Sequence, residues 1–259
     1  MRALLSHVRA ILRLSGILLT ALGATLMLVA CLLLTPFPRL RAAAVSRIMD
    51  TTVAIGCFLT GMRLSVEGRP PAPPFVLVAN HLGYMDILLI RRVLRTRFVS
   101  KAEIANWPLF GALARLTGTV FIERRNKRDL SRINRTLDGV WNDGSGVTIF
   151  PEGTSGSGGS VGRFHGGLLE VPARSGRPVH AATLWYATKP PANASLTVCW
   201  WGDMTFMDHL YRLLRMPHFD ARITFSDQPL IRASRKALAE DLKAQVLRSF
   251  RPVDGAPAA

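Results

Sequence analysis

From residue 14 to residue 38 the chain runs 25 positions without a charge, and arginines bracket the run at positions 9, 13, 39 and 41. Few folds are open to such a stretch. Wound as a helix it would reach about 37 Å, more than the roughly 30 Å of a bilayer's hydrocarbon core. Basic residues stand at both ends, so the positive-inside rule gives it no orientation. A second, weaker apolar stretch at residues 51–62 reads as too short to span and suits the returning arm of a shallow hairpin. The region fits either a span or a segment lying in one leaflet. Leu28-Val29-Ala30-Cys31 has the look of a lipoprotein cleavage box, but the apolar run continues through Leu34. A signal core is also shorter, about 7–15 residues. An uncleaved anchor is the expectation.

Residues 69–74 read Arg-Pro-Pro-Ala-Pro-Pro, a stiff connection that can be neither helix nor central strand. They divide the chain into membrane-associated helices at 1–68, this linker, a globular domain at 75–250 and a frayed Pro/Ala-rich tail at 251–259. The 33 Lys and Arg against 17 Asp and Glu give a formal charge of +16. Such a surface seeks anions, whether nucleic acid, anionic headgroups or a phosphorylated substrate. The chain shows no helix-turn-helix, zinc-finger or RNA-binding pattern, and its aromatics sit in apolar runs, so no nucleic-acid partner is expected. The three cysteines, Cys31, Cys57 and Cys199, lie in apolar surroundings without metal spacing and read as buried thiols. No metal site is expected.

Beyond the linker, strand and helix patterns alternate. Strands are expected at 75–79, 97–100, 119–123, 147–150, 179–186, 196–201 and 221–225. Helices are expected from 87, at 104–116, 127–142, 166–173, 205–214 and 234–250, with a Gly/Ser loop at 155–162. This alternation gives an α/β class: a mixed, mostly parallel sheet flanked by helices.

The first strand runs into Asn80-His81-Leu82-Gly83-Tyr84-Met85-Asp86. Strand-to-helix junctions expose reactive side chains at the carboxyl edge of such sheets. In one continuous helix, positions five apart point about 140° away from each other. His81 and Asp86 therefore meet only if the backbone turns between them, and Gly83 eases that turn. A carboxylate against the imidazole would fix its tautomer, as a general base requires. Three more clusters fall at strand ends. Gly118 to Arg125 delivers Arg124 and Arg125, whose guanidinium forks suit a phosphate or carboxylate. Phe150-Pro151-Glu152-Gly153-Thr154 stops a strand, sets a Glu at the edge and lets backbone N–H groups approach a ligand oxygen. Arg177-Pro178-Val179 precedes an apolar strand.

In this order and spacing, the four clusters resemble the four blocks of the glycerolipid acyltransferase family of lysophosphatidate acyltransferase (PlsC) type. The segment from Phe98 to Glu103, with Trp107 to Gly111, resembles the family's intervening stretch. The resemblance implies acyl transfer from acyl-CoA or acyl-ACP to a lysolipid hydroxyl, with 1-acylglycerol-3-phosphate as the first acceptor to consider. His81 would take the hydroxyl proton and Asp86 would orient the ring. Backbone N–H groups around Gly153 would receive the oxyanion. Arg124, with Glu152 and Thr154, would position the headgroup, helped by Lys101 and Arg125. Arg91, Arg92, Arg95 and Arg97 would face anionic lipid or the carrier. The acyl thioester is a co-substrate, so no cofactor is implied. The expected location is the inner membrane, with the domain on its cytoplasmic side. Two departures stand out: Gly83 replaces a common Ser, and Ser155-Gly156 replaces Arg-Ser, which removes one phosphate-binding arginine. That loop, together with Trp201 to Met204 and His209-Leu210, resembles a branch that includes ornithine-lipid-forming acyltransferases, so lyso-ornithine lipid is the alternative acceptor.

Two rivals come from other classes. Gly158-Gly159-Ser160-Val161-Gly162 fits the G-x-S-x-G of serine hydrolases, which needs a strand before it and a helix after it. The other is a non-catalytic basic protein that binds membrane lipid.

Overall fold

Helix α1 (Arg2–Ala30) leads through a 3₁₀ turn at Cys31–Leu34 to helix α2 (Pro38–Thr60), and the two helices pack together. This computed structural model describes residues 2–107, 110–116, 118–123 and 127–257. Pro38 stands in the first turn of α2, where a missing N–H costs nothing. Gly61 ends α2 in the left-handed region at φ +75°, where an added Cβ would lie 2.7 Å from the Pro217 carbonyl oxygen. The expectation that the second apolar stretch is too short to span is corrected, because α2 has 23 residues. Arg39, Arg41, Arg47 and Asp50 interrupt its hydropathy without interrupting a helix built on a run of alanines. By length and composition both helices are long and apolar enough to cross a membrane. Leu33 and Phe58 are 82% and 79% exposed, so apolar surface remains that the protein itself does not cover.

The start of α1 is held to the domain. Arg9 donates to the Arg215 carbonyl at 2.9 Å, and Arg13 donates to the carbonyls of Met216 and Pro217 at 2.5 and 2.9 Å. These are carbonyls left over at a helix end, so the arginines satisfy acceptors that the helix cannot.

The domain then alternates. Strand β1 (Met62–Glu67) precedes β2 (Val76–Ala79), α3 (Met85–Val93) and β3 (Thr96–Lys101). Next come α4 (Phe110–Leu116), β4 (Val120–Ile122), α5 (Lys127–Asn142), β5 (Gly146–Ile149) and α6 (Glu170–Arg174). Strand β6 (Val179–Ala187), α7 (Ala194–Thr197), α8 (Phe206–Arg215), β7 (Phe219–Phe225) and α9 (Arg235–Ser249) complete it. Among the described residues seven strands form one sheet in the order β1-β7-β6-β2-β5-β3-β4. Of these strand pairs only β6–β7 is antiparallel. Strand β2 is central, and side-chain alternation splits its burial between two cores. Leu77 and Ala79 share one face with Leu184, Tyr186, Leu89 and Leu213, whereas Val76 and Val78 share the other with Ala181, Ile133 and Leu242.

Several expectations change. Met62–Glu67, read above with the membrane region, is an edge strand parallel to β7, and the alternation Met62, Leu64, Val66 is its signal. The single helix at 104–116 divides into a 3₁₀ turn at Ala102–Asn106 and α4. Pro108, which with Leu109 lies outside the described residues, has no N–H to continue a helix. The strand at 196–201 is instead α7 and a loop, because the Asn193 side chain caps Leu196 N–H. The tail is docked: Val253 is buried and donates to the Gly158 carbonyl at 2.9 Å. Arg91 and Arg95 pair with Asp50 of α2 at 3.0 and 2.7 Å, and Arg97 pairs with Asp143 at 2.8 Å. These three arginines tie elements together.

Candidate active site

At the end of β2 the backbone turns before α3 begins. Gly83 makes that turn at φ +152°, with the Trp200 amide so close that an added Cβ would lie 2.9 Å from its nitrogen. The turn folds His81 back over the first turn of α3, where His81 Nδ1 meets Asp86 Oδ2 at 2.7 Å. Asp86 is fully buried. Its Oδ2 also accepts the N–H groups of Leu82 at 2.7 Å and Gly83 at 3.1 Å, and its Oδ1 accepts the Tyr186 hydroxyl at 2.7 Å. Burial, reinforced by the Asp86 charge, holds the Tyr186 phenol well above its usual range, so it acts as a donor. A carboxylate surrounded by donors accepts from the ring as well. That fixes the proton on Nδ1 and leaves the Nε2 lone pair to act as base.

The ring is held from its flat side too, stacking on Phe150 at 4.2 Å between centroids and 17° between planes. Glu152 grips the backbone beneath it: Oε1 accepts His81 N–H at 2.7 Å and Oε2 accepts Gly162 N–H at 2.6 Å. Burial pushes the Glu152 carboxyl up, and these two N–H groups oppose the shift. With both oxygens occupied by the backbone, Glu152 is first a brace between the His81 strand end and the Gly162 loop. Asn80, next to His81, exchanges two bonds with the Leu184 backbone, at 2.7 and 3.1 Å, and pins β2 to β6 at this level.

The loop after Glu152 passes beside His81, and Gly156 N–H donates to the His81 carbonyl at 2.9 Å. Gly153, at φ +76°, spends its own N–H on the Phe150 carbonyl at 3.1 Å. Its N–H is therefore closed to an oxyanion. Between these occupied groups, the N–H groups of Thr154 and Ser155 carry no hydrogen bond among the described residues, and the Thr154 side chain is exposed. The backbone of Lys101 ends β3, and its side chain lies outside the described residues, as do Arg124 and Arg125. Ser160 sits in a loop with neither a strand before it nor a helix after it, so the hydrolase motif lacks its context. Among the described residues no three His, Cys, Asp or Glu side chains group to hold a metal ion.

Tyr186 and Phe150 are the site residues that sequence reasoning did not assign a role. Tyr186 carried a signal, being the polar member of an otherwise apolar strand face shared with Ala182 and Leu184.

A family model described as Acyltransferase matches residues 63–185. A lyso-ornithine lipid O-acyltransferase from Rhodobacter capsulatus is 37% identical over 199 residues, covering 73% of this chain and 70% of that protein. A 1-acyl-sn-glycerol-3-phosphate acyltransferase from Neisseria meningitidis is 29% identical over 171 residues, covering 64% and 66%. The crystal structure of the LPA acyltransferase PlsC from Thermotoga maritima shares the fold, with a TM-score of 0.68 at 21% identity over 96% of this chain and 97% of that one. With the imidazole–carboxylate pair at the edge of the same sheet, this chain belongs to the PlsC-type acyltransferase family.

Proposed function

We propose that this chain transfers a fatty acyl group from a thioester, acyl-CoA or acyl-ACP, to the free hydroxyl of a lysolipid. The observation that carries the proposal is the 2.7 Å contact between His81 Nδ1 and a buried Asp86. Nε2 takes the acceptor's proton as its oxygen attacks the thioester carbon, and the imidazolium is stabilised by Asp86. The tetrahedral oxyanion lies against the N–H groups of Thr154 and Ser155. Its collapse breaks the C–S bond, and the thiolate recovers the proton from Nε2. The ester forms directly, with no acyl-enzyme.

Lyso-ornithine lipid is the acceptor this reading favours, which reverses the order expected from sequence. The support is twofold: the 37% identical relative carries that activity in its name, and Ser155-Gly156 lacks an arginine for a phosphate headgroup. Lysophosphatidate is the second reading, supported by the Neisseria relative. In both, α1 and α2 hold the domain at the inner membrane with its sheet edge on the cytoplasmic side.

Purified protein in detergent, given labelled acyl-CoA or acyl-ACP with lyso-ornithine lipid and lysophosphatidate in parallel, tests this. Acylation of lyso-ornithine lipid that disappears in His81→Ala is the expected result. Exclusive turnover of lysophosphatidate overturns the acceptor assignment. No turnover with any pair overturns the enzyme and leaves the lipid-binding protein.

A further inference from the structure

Strand β1 lies at the edge of the sheet, with β7 on one side and no strand on the other among the described residues. Its six residues pair with β7 without a break, from Met62 opposite Phe219 to Glu67 opposite Thr224. Edge strands of monomers are commonly shielded by a lysine, a proline, a bulge or sheer shortness. Strand β4, at the opposite edge, has three residues. Strand β1 carries none of these devices, and its Leu64 and Val66 are 37% and 42% exposed.

The hydrogen bonds to β7 decide where each residue of β1 points its backbone. Phe219 N–H donates to the Gly61 carbonyl at 3.1 Å, and in a parallel pair alternate residues of a strand bond the same neighbour. Arg63, Ser65 and Glu67 therefore direct their N–H and C=O groups to β7, and Leu64 and Val66 direct theirs away from the sheet. Side chains alternate as well. Arg63, Ser65 and Glu67 share a face with Asp220, Arg222 and Thr224, whereas Leu64 and Val66 share the other with Ala221 and Ile223.

A second β1, antiparallel, has few ways to meet this edge. Outward groups must face outward groups, so the pairing is centred on a residue and not between two. Centring on Arg63 or Glu67 opposes like charges. Centring on Leu64 sets Arg63 against Ser65, and centring on Val66 sets it against Arg69. Centring on Ser65 sets Arg63 against Glu67, Leu64 against Val66 and Ser65 against itself. Opposite charges, apolar pairs and hydroxyl pairs are the cross-strand combinations that stabilise a sheet. In that register the outward N–H and C=O groups of Leu64 and Val66 satisfy each other.

The charges are available for it. Arg63 is exposed and forms no ion pair or hydrogen bond among the described residues. Glu67, which Arg222 approaches at 3.3 Å, is half-exposed and can accept from a second guanidinium. The two-fold axis through Ser65 is perpendicular to the sheet and keeps like faces together. Ala10, Leu14 and Ile17 pack against the core that holds Leu77, so α1 of both copies lies on one side of the joined sheet, as attachment to a single bilayer requires.

We propose that β1 pairs with β1 of a second copy of this chain, in the antiparallel register centred on Ser65, and joins two sheets across a two-fold axis.

The test uses the full chain in detergent, with its mass measured by light scattering and its folding by melting temperature. Arg63→Glu sets acid against acid, and Val66→Pro removes an N–H that β7 does not use. The expected result is a dimeric wild type, with both variants melting like it but halved in mass. Oxidative cross-linking reads the register. Cα atoms of a non-hydrogen-bonded antiparallel pair are about 4.5 Å apart, within disulfide reach, so Ser65→Cys cross-links between copies. The two Leu64 positions are diagonal neighbours about 7–8 Å apart, so Leu64→Cys does not. The wild type, whose three cysteines are buried, gives the background. A wild type of single-chain mass overturns the proposal. A dimer that survives both variants and gives no cross-link at residue 65 places the interface elsewhere and overturns it too. Cross-linking at residue 64 and not at 65 overturns the pairing of Arg63 with Glu67. Where a variant fails to fold, the two cysteine substitutions decide.

Discussion

Tyr186 donates its hydroxyl to Asp86 Oδ1 at 2.7 Å, so a residue 100 positions further along the chain completes the shell around the carboxylate that orients His81. In Tyr186→Phe that buried oxygen loses its donor and gains nothing, a cost of about 1–3 kcal/mol. The expected outcome is a lower melting temperature together with a reduced kcat, while KM for donor and acceptor stay where they were. Unchanged kcat in a folded variant shows that Oδ1 does not contribute to orienting the base.

Removing the proposed base is expected to have a larger effect. His81→Ala and Asp86→Asn are each expected to lower kcat by about 10²–10⁴. Asp86→Asn places a donor or a weaker acceptor against Nδ1 and frees the ring to choose the wrong tautomer. Ser160→Ala keeps full activity, because Ser160 lies in a loop without the strand–turn–helix setting of a nucleophile. Initial rates for the three proteins side by side decide between general-base transfer and hydrolase chemistry.

Gly83 is the position where backbone shape matters most. A side chain there must adopt φ +152° and also place its Cβ 2.9 Å from the Trp200 nitrogen, whose N–H donates to the Leu82 carbonyl at 2.8 Å. Gly83→Ala is expected to cost on the order of 1–3 kcal/mol and to spoil the His81–Asp86 approach as well. Denaturant melts together with kcat measure both. A variant of wild-type stability shows that the turn relaxes freely.

Much of this arrangement was legible in the sequence because it is local. The alternation of strands and helices, and the polar cluster at the end of β2, are set within windows of a few residues, and α5 occurs at the expected positions. The elements missed depend on distant partners. Met62–Glu67 becomes a strand only because β7 lies beside it, and residues 251–257 are ordered against the Gly158 loop rather than by their own composition. At the site, the His81–Asp86 spacing could be read directly. The occupation of both Glu152 oxygens by backbone N–H groups could not, since it depends on how the Gly162 loop returns.

His209 gives a pH prediction with a definite sign. It is buried on α8, its Nδ1 bonds the Tyr84 hydroxyl at 2.8 Å, and its Nε2 has no partner among the described residues. Burial pushes it down to about 4 from an ordinary value of 6.5. Between these values the unfolded chain binds a proton that the folded chain refuses, so stability is held above pH 6.5 and lost as pH falls towards 4. At 1.36 kcal/mol per pH unit the full loss is on the order of 3 kcal/mol. Glu152 works in the opposite direction, since its raised carboxyl adds stability as pH falls towards 4.5. The wild-type curve alone mixes the two, and the difference from His209→Gln separates them. The wild type is expected to be the more stable protein at pH 8, with the gap closing steadily below pH 6.5. Parallel melting curves down to pH 4.5 would show that the imidazole is not held neutral in the fold.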